Sequence, residues 1–171
     1  MTLSFAVAIT FGMLAFAAIS DVASRRIPNA VSIIVMASFV IAGVAAPDRV
    51  DIIGGVWVAA IVLSVGFVGF AFGKIGGGDV KLLAAVALWA GPAAAIDFLL
   101  ITGLAGGGLA ILYLLPDIAH GLTWLRSVAE RRIPSLQTFA ISSNVKAEGL
   151  PYGVAIAVGG FFVLWTRYLP G

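Results

Sequence analysis

The chain has 171 residues, of which 61% are hydrophobic and 11% charged, and its mean hydropathy is +1.13. This balance excludes an ordinary soluble domain, and no linker-like stretch divides the chain, so a single integral-membrane domain is predicted over residues 1–171. The net charge of +2 does not indicate a nucleic-acid partner, because the basic residues are distributed by membrane side. The chain contains no cysteine, which excludes disulfides and thiolate-bound metal ions.

Apolar runs along the chain approach the roughly 20 residues that an α-helix needs to cross a bilayer. Their Leu, Ala, Val and Gly residues show no period-two alternation, so helices are predicted rather than a β-barrel. The predicted crossings cover residues 2–20, 30–46, 52–72, 80–91, 93–115 and 150–168. The fold class is therefore all-α, a polytopic membrane helix bundle with about six transmembrane helices.

The first run ends at an acidic residue, Asp21, which a membrane helix tolerates only beside water or a partner. No Lys or Arg precedes this run, so it is interpreted as a permanent helix and not as a cleavable signal. Arg25 and Arg26 follow and are expected to reach the headgroups, while Pro28, ahead of Asn29, requires the chain to turn. Asp21 is either a functional carboxylate or a helix-end acid in a basic loop.

A glycine-rich segment, Gly76, Gly77 and Gly78, leads from the third run to a second acid, Asp79, with Lys81 just beyond it. The glycines permit backbone angles closed to other residues and let a second backbone approach closely, which is the clearance that an extended peptide substrate would need. Asp79 is predicted at the N-terminus of the next helix, where the helix dipole favours a carboxylate. A phosphate-binding loop would need Gly-Lys-Ser/Thr after a strand, and neither is present. A flexible loop with an N-capping aspartate is the remaining alternative.

The distribution of basic residues predicts the topology. With six crossings and the N-terminus outside, the cytoplasmic side carries eight basic residues: Arg25, Arg26, Lys74, Lys81, Arg126, Arg131, Arg132 and Lys146. The outer side then carries only Arg49 and Arg167, in agreement with the positive-inside rule. Reading 80–115 as one crossing would make the split five to five, and Gly91-Pro92 provides a break between two helices. This topology places Asp21 and Asp79 at the same depth on the cytoplasmic face.

The remaining polar residues indicate no second site. Asp97 is interpreted mainly as an acid near the outer interface, with an interhelical contact or a relay role as alternatives. Asp117 and His120 lack a third ligand and are poor evidence for zinc. Residues 117–148, within the loop 116–149, are predicted to form an interfacial helix and a polar loop that anchor to the membrane surface or guide a substrate. Two small-xxx-small pairs would permit close helix packing or a homo-oligomer, namely Gly69/Gly73 and Gly103/Gly107.

Three segments together resemble the type IV prepilin peptidase family of GxGD membrane aspartyl proteases. Gly76, Gly78 and Asp79 match GxGD, and Asp21 with Arg25-Arg26-Ile27-Pro28-Asn29 matches the family's first acid. The segment Pro151-Tyr152-Gly153-Val154-Ala155-Ile156-Ala157 is similar to its last-helix motif. The short chain resembles most the CpaA/TadV branch, which serves Flp-type pili.

The resemblance implies a function in pilus assembly and protein secretion. It implies a bacterial inner-membrane endopeptidase that removes the basic leader of a pilin precursor at the cytoplasmic face, with Asp21 and Asp79 as the catalytic dyad. Eight further residues would support the loop or bind substrate: Gly76, Gly77, Gly78, Lys81, Arg25, Arg26, Pro28 and Asn29. Larger relatives carry a cysteine-containing extension linked to N-methylation. This chain has neither the cysteines nor the room, so cleavage alone is predicted.

The chemistry agrees with a dyad. Amide hydrolysis without a nucleophilic serine or a metal needs one carboxylate to activate water and one acid to protonate the substrate, and two close carboxyl groups share a proton. No cofactor or metal is predicted. The expected partners are a pilin precursor and membrane lipid, and a homo-oligomer is left open. The alternatives are a small proton-linked transporter or channel that uses the same acids, and a GxGD protease that cuts within a substrate helix.

Overall fold

The structure is a computed structural model that describes residues 2–113 and 150–169. Within these ranges it is all-helical, without a strand, which confirms the predicted helical class. The helices are α1 (Thr2–Ser24), α2 (Asn29–Ala45), α3 (Ile52–Ala71), α4 (Gly77–Tyr113) and α5 (Tyr152–Tyr168). The predicted interfacial helix at 117–148, with Asp117 and His120, lies outside the described residues.

Composition and length identify membrane-crossing helices. Three of the described helices are long and apolar enough to span a bilayer: Thr2–Ser24, Ile52–Ala71 and the stretch Gly77–Leu112. Helix α3 buries only Gly55, Val62 and Gly66, and it exposes large apolar side chains such as Trp57 and Phe67. Water would disfavour such a surface, whereas hydrocarbon does not, so the chain is a membrane protein.

Two helix boundaries differ from the predicted ones by three residues or more. Helix α1 continues past residue 20 to Ser24, so Asp21 lies inside the helix and not beyond it. Helix α4 begins at Gly77 instead of residue 80, so Gly77, Gly78 and Asp79 form its first turn. A helix begins where its first backbone hydrogen bonds form. Glycine has a low helix propensity, but it does not prevent the formation of a first turn.

Helix α4 is interrupted at Gly91, which has non-helical angles of φ 55° and ψ −174° and is followed by Pro92. Neighbouring residues of α5 contact both halves: a Cβ on Gly160 would meet Val86, and one on Gly159 would meet Phe98. Farther along, Tyr168 packs on Trp89, whereas Gly106 faces Tyr152 and Ala155. Residues 77–90 therefore run parallel to α5 and residues 92–113 run antiparallel to it, so the chain reverses direction at Gly91.

The end of α5 supports this reversal. Arg167 donates a hydrogen bond to the carbonyl of Ala90, and the Tyr168 hydroxyl donates to the carbonyl of Trp89 at 3.1 Å. The last carbonyls before a helix break have no partner in their own helix, and a cation there is favourable. The two side chains thus satisfy the backbone that the Gly91 break leaves open, and they fix the position of α5 along α4.

The centre of the bundle is built around Trp89, which is fully buried. Its ring meets Phe39 and Tyr168 edge to face, with centroids 5.7 and 5.3 Å away, and its indole N–H donates to the Val35 carbonyl at 3.2 Å. An indole in an apolar interior needs such an acceptor. These contacts join α2, α4 and α5 into one core.

The antiparallel arrangement collects helix termini at two ends of the bundle. One end holds the C-termini of α1 and α3, the N-termini of α2 and α5 and both termini of α4, and Ile27 lies there beside both Gly78 and Gly153. We call this the carboxylate end. At the opposite end, Gly54 faces Pro92 and Gly91 faces Arg167. Six helix termini converge at the carboxylate end, so many backbone N–H and C=O groups without a partner in their own helix are gathered there.

Gly55→Ala is expected to destabilise the fold by about 1–3 kcal/mol, the usual cost of overpacking a core. A Cβ at this position would lie 2.6 Å from the Leu88 carbonyl oxygen and 2.8 Å from the Phe39 ring. A backbone oxygen moves only if α3 and α4 separate. Thermal unfolding in detergent measures the effect, and Gly12→Ala is the matched control because a Cβ there meets nothing within 4 Å. Equal stability of the two variants would contradict the close approach of α3 and α4.

Candidate active site

The first carboxylate belongs to the C-terminal turn of α1. Asp21 is the fourth residue from the end of the helix and is 5% exposed. Its carbonyl accepts from the N–H of Arg25 at 2.9 Å, and Arg25 has a left-handed φ of 55°. This is the one-bond cap that normally uses glycine, so arginine occupies a strained conformation here. The Ser20 hydroxyl donates to the Arg26 carbonyl at 2.8 Å and holds the chain that turns back toward the acid.

The second carboxylate belongs to the first turn of α4. Asp79 is the third residue of the helix, and its side chain turns back to accept a hydrogen bond from the N–H of Gly76. The arrangement is that of a capping box, in which an acid at the third position satisfies the amide just before the helix. A helix N-terminus also favours negative charge. Asp79 is therefore held by the residue that begins the glycine segment.

The glycine segment acts by close approach and not by unusual backbone angles. None of Gly76, Gly77 and Gly78 has a positive φ; in the described residues the positive-φ glycines are Gly73 and Gly91. The backbone freedom that the three glycines permit is therefore not used at these positions. Gly77 and Gly78 adopt ordinary helical geometry, whereas a Cβ on Gly76 would lie 2.6 Å from Asp79 Oδ2.

The N-terminus of α5 contributes a third contact. The backbone N–H of Gly153 donates to Asp21 Oδ2 at 2.7 Å, in a buried position. Gly153 was not among the predicted site residues, although it lies within the motif at 151–157 that resembles the family's last helix. The sequence signal for Gly153 is the Pro-Tyr-Gly segment at which a helix begins. The residue that accepts from the Gly153 N–H cannot be identified from the sequence.

Both carboxylates lie on one cleft of about 620 Å³ at the carboxylate end. They are close enough for the charge of Asp21 to act on Asp79. The cleft is lined by Asp21, Arg25, Arg26, Ile27, Pro28, Asn29, Ala30, Gly76, Gly77, Gly78 and Asp79. Two carboxylates with separate amide donors, on a shared cleft, form an arrangement that can move protons to and from a bound group.

The cleft brings together nearly every residue that the sequence assigned to this site, from two segments about 50 positions apart. The exception is Lys81, which lies outside the lining and donates from Nζ to Asn29 Oδ1 at 3.0 Å. It therefore connects α4 to the start of α2 two residues beyond Asp79. Ile27 and Ala30 line the cleft without having been predicted, because apolar residues between motif positions carry no chemical signal.

Other predicted polar and small positions lie away from the cleft. Asp97 is exposed on the second half of α4. Within the described ranges, no group of three or more His, Cys, Asp or Glu residues could hold a metal ion. Gly103 and Gly107 are exposed and meet nothing within 4 Å, so this pair does not join helices of the same chain in the described part. A role for it between two chains stays a prediction.

Comparison with known families gives one match. The model of the type IV leader peptidase family matches residues 8–111, a stretch that includes both carboxylates and ends before α5. Comparison with curated proteins gave no match, and neither did comparison with solved structures. The matched stretch is more than half of the chain.

Proposed function

Because this chain belongs to the type IV leader peptidase family, a family of membrane proteases, we propose that it removes the basic leader from type IV or Flp-type pilin precursors. Asp21 and Asp79 are the catalytic pair in this proposal. The observation that carries it is the placement of both carboxylates on one cleft, each holding a separate backbone amide.

The proposed chemistry is hydrolysis by a pair of carboxyl groups. One ionised carboxylate removes a proton from water, and the oxygen of that water attacks the scissile carbonyl. The other carboxyl group, still protonated, donates a hydrogen bond to the developing oxyanion. The C–N bond of the tetrahedral intermediate then breaks as the proton taken from water passes to the nitrogen of the leaving amine. Asp21 is 5% exposed, and this low exposure favours the sharing of one proton between the two groups.

The proposed topology has six crossings, with the N-terminus outside and the cleft facing the cytoplasm. The reversal at Gly91 supports two crossings within α4. The described basic residues near the carboxylate end are Arg25, Arg26, Lys74 and Lys81, and those near the opposite end are Arg49 and Arg167. Basic residues favour the cytoplasmic side, so the carboxylate end is assigned there, in the inner membrane of a bacterium.

The proposed substrate fits the position of the cleft. A pilin precursor with a basic leader ahead of a hydrophobic helix would place the junction between them at the cytoplasmic interface. The cleft lies where six helix termini meet, and its wall includes three glycines that leave room for an extended peptide. The hydrophobic helix of the substrate would then lie in the bilayer beside the bundle.

Coexpression with a precursor that carries a short basic leader ahead of a hydrophobic helix tests this function. The expected product is shorter by the leader alone, and mass determination is expected to show a free, unmethylated N-terminus. Purified protein in detergent with the same precursor gives the rate constants.

Two other outcomes would overturn the proposal. Ion flux in liposomes without any cleavage would favour a transporter that uses the same acids. A product cut inside the hydrophobic helix would favour a different intramembrane protease.

A further inference from the structure

Helix α5 begins directly at the carboxylate pair. Pro151 precedes its first residue, Tyr152, and Gly153 follows as the second residue. The N–H groups of a first helical turn have no acceptor in their own helix, and the helix end carries partial positive charge. The Gly153 N–H uses this freedom to donate to Asp21 Oδ2 at 2.7 Å. The carboxylate of Asp21, at the C-terminal end of α1, thereby lies against the N-terminus of α5.

The contact is too close for any side chain at position 153. A Cβ there would lie 2.9 Å from Asp21 Cβ, 2.9 Å from Asp21 Oδ2 and 2.9 Å from Ile27 Cδ1. These atoms surround the position from two sides. Glycine is therefore required for the amide to reach the carboxylate, because the backbone of α5 lies against the side chains of Asp21 and Ile27 here.

Contacts at the opposite end of α5 fix the position of the Gly153 amide along the axis of the bundle. Arg167 and Tyr168 bind the carbonyls of Ala90 and Trp89, next to the Gly91 break. Midway along the helix, a Cβ on Gly159 would lie 3.0 Å from the Phe98 carbonyl oxygen, so the backbones of α4 and α5 approach closely there. Helix α5 thus has little freedom to slide, and the direction of the Gly153 N–H is set by the bundle.

We propose that Gly153 is a positioning residue for catalysis: its N–H holds Asp21 Oδ2 and so presents Oδ1 to the water and to Asp79. This inference rests on the proposed protease function. It extends the active centre to a helix that lies beyond the stretch matched by the family model. A carboxylate with one oxygen fixed cannot rotate freely about its last bond, so the remaining oxygen keeps a defined direction.

The test is a steady-state comparison of Gly153→Ala with wild type, using the leader-bearing precursor in detergent. We expect kcat to fall about 100-fold, the scale of a misplacement of about 1 Å, while KM changes less than about threefold. Gly103→Ala is the matched control, because it is a glycine in a helix with nothing within 4 Å of its Cβ, and it should match wild type. A merely structural role would instead lower the amount of folded protein and leave kcat per folded molecule unchanged.

A second variant keeps the inference testable if Gly153→Ala does not fold. Adding Ile27→Ala removes one of the two obstructing side chains but leaves the overlap with Asp21, so kcat is expected to stay low. The single variant Ile27→Ala provides its reference. Turnover by the double variant at the rate of Ile27→Ala would overturn the positioning role. Absence of cleavage by wild type would instead overturn the protease function, and this inference with it.

Discussion

Asp21→Asn and Asp79→Asn are each expected to reduce leader cleavage about 1,000-fold or more, because in the proposed mechanism each removes a group that transfers protons during hydrolysis. Asparagine keeps the size of the side chain and one acceptor oxygen. The Gly153 amide can still donate to position 21, and the Gly76 amide can still donate to position 79. Folding should therefore be preserved while turnover is lost. Product mass and the rate of precursor loss measure the effect.

Asp97→Asn is the matched control for the carboxylate variants, since it changes an exposed acid on the second half of α4. It should cleave at the wild-type rate. The double variant Asp21→Asn/Asp79→Asn should be no slower than either single variant, because groups that act as a unit give non-additive losses. Normal processing by either folded single variant would show that the two acids do not form a dyad.

Gly76→Ala is expected to lower kcat about 100-fold with little change in stability. Moving a catalytic group by about 1 Å lowers the rate on that scale. A Cβ at position 76 would lie 2.6 Å from Asp79 Oδ2. The obstructing atom is the end of a side chain, so the conflict is relieved when the carboxylate rotates away from the amide. We therefore expect the fold to keep its stability after such a rotation, while kcat falls. Thermal unfolding and kcat are measured on the same preparation.

Gly78→Ala provides the comparison within the same segment. Its Cβ would meet Ile27 at 3.4 Å, which is ordinary van der Waals contact. The expected loss of kcat is therefore only a few-fold. If the two variants lost activity equally, the glycines would serve general flexibility of the loop, and the specific contact between position 76 and Asp79 would be irrelevant.

Local sequence predicted the helices and the break in α4 for separate physical reasons. Long apolar runs have no partner for their backbone groups in hydrocarbon except within a helix, so composition predicts helices directly. Gly91-Pro92 predicts the break, because proline removes a helical hydrogen bond and glycine adopts the positive φ of 55° that the turn uses. The boundaries at Ser24 and Gly77 were less accurate, since the last turn of a helix depends on which caps are available.

The sequence by itself determined the two carboxylates, the segments that flank them and the all-helical class. These features depend on residue type and on neighbours only a few positions away. The tertiary structure alone decided that Asp21 and Asp79 share a cleft and that Gly153 reaches Asp21 across 132 positions. Such a contact depends on the position of α5 along α4, which Arg167 and Tyr168 fix at the other end of the bundle. The hydrogen bond at the carboxylate is thus a property of how helices pack, and no short stretch of residues specifies it.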